Sequence, residues 1–201
     1  KTVRRQRQMC IRDSVNRGSY SNYIRGLEVD CTGLIIPQIK SLADAKEIEE
    51  FTKFPPIGKR GVDGGNNDGK YTKLDMAEYI KQANQERLVI YQIETPEVIN
   101  DVEAIAEMEG VDALFFGPGD YSLSLGVPGQ MDHPDVVSAR KRVAEVARKN
   151  NKIAATPGGP GVAKNYIDMG YNLLNIGADV IALSDYCLLY TSPSPRDLWI
   201  S

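Results

Sequence analysis

Short apolar runs alternate with longer stretches of helical periodicity along most of this 201-residue chain. The runs fall at 33–37, 88–93, 113–116, 152–156 and 173–176. Unbroken apolar strings such as Ala-Leu-Phe-Phe at 113–116 suit strands buried on both faces. Between them, Leu42, Ala45, Ile48 and Phe51 recur at helical spacing over 41–54, with Ser41 placed to cap and Asp44 in the first turn. Pro55-Pro56 ends that helix. Further helices are expected at 74–84, 96–108, 133–150 and 161–169. In 96–108, Pro96 sits near the first turn and Val98, Val102, Ile105 and Ala106 share a face. Residues 57–72 form a Gly-rich loop. Regular alternation of strand and helix specifies an α/β fold with a parallel sheet and right-handed crossovers. An open doubly wound sheet and a closed (β/α)8 TIM-type barrel both satisfy this pattern. A complete barrel takes about 250 residues. The periodic part supplies only about five and a half units of about 31 residues each, so a barrel here would be incomplete.

Composition narrows the class. Apolar residues make up 42% and charged residues 25%, as in an ordinary globular protein with one core. No apolar run reaches membrane-spanning length and no secretory pattern is visible, so no membrane partner is expected. The net charge of −3 points to no nucleic acid. Three cysteines, Cys10, Cys31 and Cys187, make no disulfide framework; a reducing, cytoplasmic location is expected. The ends differ from the middle. Residues 1–14 carry five basic groups and one acid, and the tail from Cys187 is Ser/Pro-rich without helical or strand period. Both strings resemble translated sequencing-adapter read-through. The expected partition is therefore a non-native segment at 1–14, a partial barrel at 15–186 and a non-native tail at 187–201. The rival for the first segment is a basic arm for nucleic acid. The middle part holds 18 basic and 25 acidic groups.

Two of the apolar runs end in a carboxylate beside turn residues. Tyr91-Gln92-Ile93-Glu94-Thr95 is one; Phe115-Phe116-Gly117-Pro118-Gly119-Asp120 is the other. Successive parallel strands would bring Glu94 and Asp120 to one rim, within one ion's reach. Hard oxygen ligands with open positions suit magnesium or manganese better than zinc, and there is no His/Cys cluster. Helix-end acids favoured by the macrodipole are the other explanation, and spacing alone leaves the two level. His133 is the sole histidine. It lies in Asp-His-Pro-Asp, a helix-start pattern, so a structural role is expected for it, with Pro134 at the first helical position and Asp132 or His133 as the cap. The loop 63–68 lacks the spacing and terminal Glu of a calcium loop.

The strings Gln92-Ile-Glu-Thr95 and Gly117-Pro-Gly-Asp-Tyr-Ser-Leu-Ser-Leu-Gly126 resemble signatures of the HpcH/HpaI family of class II 2-oxo-acid aldolases. So do, in the same order, Gly33-Leu-Ile-Ile-Pro37, Phe54-Pro-Pro-Ile-Gly-Lys-Arg-Gly-Val62, Glu109-Gly-Val-Asp112, His133-Pro-Asp-Val136 and Asn175-Ile-Gly-Ala-Asp-Val180. The resemblance implies a (β/α)8 barrel of which about strands four to eight are present. It implies an aldehyde-lyase that cleaves or forms 4-hydroxy-2-oxo acids, giving pyruvate or a related 2-oxo acid plus an aldehyde through a metal-stabilised enolate.

The implied metal ligands are Glu94 and Asp120, holding magnesium or manganese, with cobalt a further option. The implied carbonyl-binding arginine is Arg60, a permanent charge with forked donors. Gln92, Gly119 and Asp120 are the implied substrate-binding positions, with backbone N–H groups around 119 and 120 facing the pyruvyl carboxylate. The loop Thr156-Pro-Gly-Gly-Pro-Gly161 departs from the more apolar family segment and is expected to affect aldehyde preference. The family's catalytic histidine segment, Asp-x-Glu-His, has no match in this chain. A small-molecule partner and a homohexamer are implied. The alternatives are an acyl-CoA lyase of the citrate-lyase-β or malyl-CoA type, and an inactive fragment with exposed strand edges.

Overall fold

The computed structural model describes residues 12–14 and 18–191. The elements run β1 (Arg12–Ser14), α1 (Tyr20–Glu28), β2 (Gly33–Ile36), α2 (Leu42–Thr52), α3 (Met76–Glu86) and β3 (Leu88–Ile93). A 3-10 turn (Val98–Asp101) leads into α4 (Val102–Ala106), followed by β4 (Ala113–Phe116), α5 (Pro118–Ser124) and α6 (Pro134–Lys149). The order closes with β5 (Ile153–Pro157), α7 (Pro160–Met169), β6 (Leu173–Asn175) and α8 (Asp179–Thr191). All five strands expected from the pattern form. Residues 12–14 add a sixth by pairing Arg12 with Gly33, and α8 runs on past Cys187. The single helix expected over 96–108 is instead the 3-10 turn and the short α4.

The sheet is parallel throughout and its spatial order is its sequence order, β1-β2-β3-β4-β5-β6. A doubly wound sheet reverses direction at a switch point. Here each new strand adds on the same side, which is the winding of a barrel wall.

Period-two alternation sends the strand side chains to two faces. Leu34, Ile36, Val89, Tyr91, Ile93, Leu114, Phe116 and Ala154 join the helices in one large buried cluster. Ile48 of α2, Val102 and Ile105 of α4, and Val143 and Ala147 of α6 meet them there. The intervening residues Ile35, Ile90, Ala113, Phe115 and Ala155 form a smaller cluster on the opposite face.

Local chemistry sets the helix starts. Ser41 Oγ accepts from the Asp44 N–H at 3.2 Å, and Asp75 accepts from Ala77 and Glu78. His133 Nδ1 accepts from the Asp135 N–H at 3.3 Å, with Pro134 in the first turn of α6. The histidine therefore serves as a cap, as its sequence context indicates. Across the lower rim, Lys53 donates through Nζ to Asp112 and to the carbonyls of Asn84 and Arg87.

The buried face makes a direct prediction. Leu114→Ala should cost about 2–5 kcal/mol in urea denaturation, from lost burial plus a cavity. Leu123→Ala, at a position 61% exposed, should leave the midpoint nearly unchanged.

Candidate functional site

Parallel register places three chain turns at the same rim. Ile36 pairs with Tyr91, and Ile93 pairs with Phe116. The residues just beyond β2, β3 and β4 therefore lie side by side at the strands' C-terminal ends, where α/β proteins build their sites. Those residues are Pro37-Gln38, Glu94-Thr95 and Gly117-Pro118.

Glu94 stands at the centre. It is only 1% exposed. Its Oε1 accepts from the backbone N–H of Gln38 at 2.6 Å and from Gln38 Nε2 at 3.0 Å. Gln92 Nε2 donates to Oε2. Asp120, in the first turn of α5, is near enough for its charge to act on the Glu94 carboxyl. Burial pushes the Glu94 carboxyl above its usual range. The Gln38 backbone hydrogen bond opposes that push, and the charge of Asp120 adds to it. Unlike Glu94, Asp120 is exposed, so the pair opens to solvent on the α5 side.

Two glycines shape the opening. A Cβ at Gly117 would lie 3.0 Å from both Cβ and Oε2 of Glu94 and 3.1 Å from Gln92 Nε2. Any side chain here would press on the carboxylate, so glycine eases the close turn of β4. A Cβ at Gly119 would meet nothing within 4 Å, so the space beside that backbone is open. Beside Glu94, Thr95 Oγ1 is buried without a hydrogen-bond partner among the described residues. Orphaned hydroxyls of this kind are ordinarily satisfied by a bound molecule or water.

A divalent cation fits these donors. Two carboxylates this close repel when both are ionised, and a cation between them removes that cost. The donors are all oxygen, which matches magnesium or manganese. Among the described residues no group of three or more His, Cys, Asp or Glu side chains converges. Among the described residues Glu94 and Asp120 would be its carboxylate ligands, with further positions open to water and substrate.

The structure brings Gln92, Glu94, Gly119 and Asp120 to one place. Arg60 has a different environment from the one expected of it. It is 4% exposed, and Nη2 donates to Asp68 at 2.8 Å and to the Tyr79 hydroxyl at 3.3 Å. Its guanidinium lies 4.5 Å over the Phe54 ring. The physical reason is charge matching: a buried guanidinium takes the nearest buried carboxylate, and Asp68 sits eight residues along the same loop. Arg60 thereby anchors the 61–73 loop against α3, and its charge faces Asp68. Sequence reading missed Gln38 and Gly117. Gly117 had a signal in its position at the end of an apolar run; Gln38 had none, because its contact depends on a left-handed backbone and a partner 56 residues away.

The family model for HpcH/HpaI aldolase/citrate lyase matches residues 5–184. A 2-keto-3-deoxy-L-rhamnonate aldolase from Klebsiella pneumoniae is 30% identical over 178 residues, covering 86% of this chain and 62% of the relative. A 4-hydroxy-2-oxo-heptane-1,7-dioate aldolase from Escherichia coli is 31% identical over 166 residues, covering 79% and 60%. The chain thus spans about 60% of the length of the curated relatives it matches. The crystal structure of an HpcH/HpaI aldolase from Desulfitobacterium hafniense superposes with a TM-score of 0.80 at 26% identity, covering 89% of this chain and 71% of that one.

The raised carboxyl gives a pH prediction. A carboxyl lifted above its unfolded value favours the protonated fold, so its contribution is present at low pH and lost as pH rises through the folded value. In EDTA, Glu94→Gln should therefore melt higher than the unsubstituted protein at pH 8. The difference should shrink as pH falls towards the ordinary carboxylate range, about 4.3. Calorimetry across pH reads this directly; a constant difference would contradict it.

Proposed function

Because this chain belongs to the HpcH/HpaI aldolase/citrate lyase family, we propose that its full-length parent is a metal-dependent aldolase acting on 4-hydroxy-2-oxo acids. The observation that carries the reading is the Glu94–Asp120 carboxylate pair at the strand rim, with Glu94 buried and Asp120 open to solvent. In this reading β2 to β6 are strands four to eight of a (β/α)8 barrel and β1 is the end of the third. The substrate is a small 2-oxo acid, and cleavage releases pyruvate or a related 2-oxo acid and an aldehyde.

Each residue has a task that its surroundings support. Glu94 and Asp120 would hold magnesium or manganese. The bound cation would polarise the 2-oxo group and carry the charge that develops as the carbon–carbon bond breaks. Gln92 steadies Oε2 of Glu94. The N–H groups of Gly119 and Asp120 fall in the first turn of α5, where helix geometry gives them no intrahelical acceptor. With open space beside Gly119, they are available to a substrate carboxylate. Arg60 enters as the anchor of the 61–73 loop.

Citrate lyase is the second activity in the family's description. The aldolase reading is preferred because the two aldolase relatives share about 30% identity with this chain. The test is a coupled assay for pyruvate release from a 4-hydroxy-2-oxo acid by the full-length parent. EDTA should abolish activity, and manganese or magnesium should restore it. Glu94→Ala and Asp120→Ala should each lower kcat/KM more than about a hundredfold. Full activity in EDTA, or in either variant, would overturn the proposal.

A further inference from the structure

We infer that Gln38 is a positioning residue for Glu94, fixing the rotation of its carboxylate so that Oε2 is the oxygen left for a cation. This inference rests on the metal-dependent reading above. Gln38 lies two residues beyond β2, on the strand next to the one that carries Glu94. Its backbone N–H and its side-chain Nε2 both reach Oε1, at 2.6 and 3.0 Å. A carboxylate offers about four lone-pair sites, two on each oxygen. Gln38 occupies both on Oε1 and Gln92 Nε2 takes one on Oε2, so the acceptor site that remains lies on Oε2. Rotation about the last side-chain bond would break both hydrogen bonds together.

The backbone of Gln38 is shaped for this contact. Its φ is +56°, in the left-handed region that side chains other than Asn and Asp seldom adopt. Such conformations cluster where surrounding structure imposes them for function. Here the imposed turn aims the N–H at Glu94. The result is a brace that links three neighbouring strand ends: Gln38 beyond β2, Gln92 and Glu94 at β3, and Gly117 beyond β4. Losing the side-chain amide leaves Oε1 held by the backbone N–H alone, which loosens the carboxylate's rotation although Gln92 still donates to Oε2.

The experiment is manganese binding by the full-length parent, read by electron paramagnetic resonance, beside thermal unfolding in EDTA. Gln38→Ala removes the amide. Gln38→Gly also removes it but is unstrained at positive φ, so the pair separates strain from hydrogen bonding. Both should weaken manganese affinity about tenfold, and Glu94→Gln should abolish binding. Wild-type affinity in Gln38→Gly, with binding lost in Glu94→Gln, would overturn the positioning role and leave the metal site intact. A lowered melting temperature in EDTA with unchanged manganese affinity would mark Gln38 as a packing residue and overturn the role as well. Manganese binding that survives Glu94→Gln would remove the metal reading, and this inference with it.

Discussion

Two like charges held together at one rim of a parallel sheet organise this molecule. Glu94 is buried and Asp120 reaches it from the next strand's turn. Taken alone, that pairing is unfavourable, because burial and repulsion both penalise the ionised form. It persists because the surrounding fold over-determines it. Gln38 and Gln92 supply amide donors, and Gly117 permits the approach of β4. A divalent cation would turn the same geometry from a cost into a gain, which is how a folded scaffold keeps a binding site ready.

The scaffold is rigid where the site needs it. Glu94 follows β3, whose side chains are buried on both faces between the helix-side cluster and the inner cluster. Strand register sets where Glu94 and Gly117 meet. The loop 61–73, far less regular, is tied down by a different device. Arg60, Asp68 and Tyr79 form a buried hydrogen-bonded group against Phe54. Breaking a buried ion pair leaves one charge unmatched, so this group holds the loop by electrostatics where the strands are held by apolar burial.

The sequence was most legible where period and chemistry agreed. Ala113–Phe116 reads as a buried strand because all four residues are apolar, and it is one. Ser41 and His133 read as caps because of the residues that follow them, and both accept the expected N–H groups. Glu94 and Asp120 were legible as a pair because each ends such a run. Arg60 was less legible. Its pairing depends on Asp68, which lies in a Gly-rich loop whose path no periodicity describes. Gln38 was invisible for a related reason: its role depends on a left-handed backbone and on a partner 56 residues away. The 3-10 turn at Val98–Asp101 escaped because its apolar residues suit either helix type.

The most direct measurement is anomalous diffraction from crystals grown with manganese and pyruvate. One manganese peak is expected between the carboxylates of Glu94 and Asp120, with an oxygen of each within about 2.0–2.6 Å. Pyruvate oxygens are expected on the same ion, on the side of Gly119. A manganese peak elsewhere, or carboxylates that turn away from one another in its presence, would contradict the two-carboxylate site.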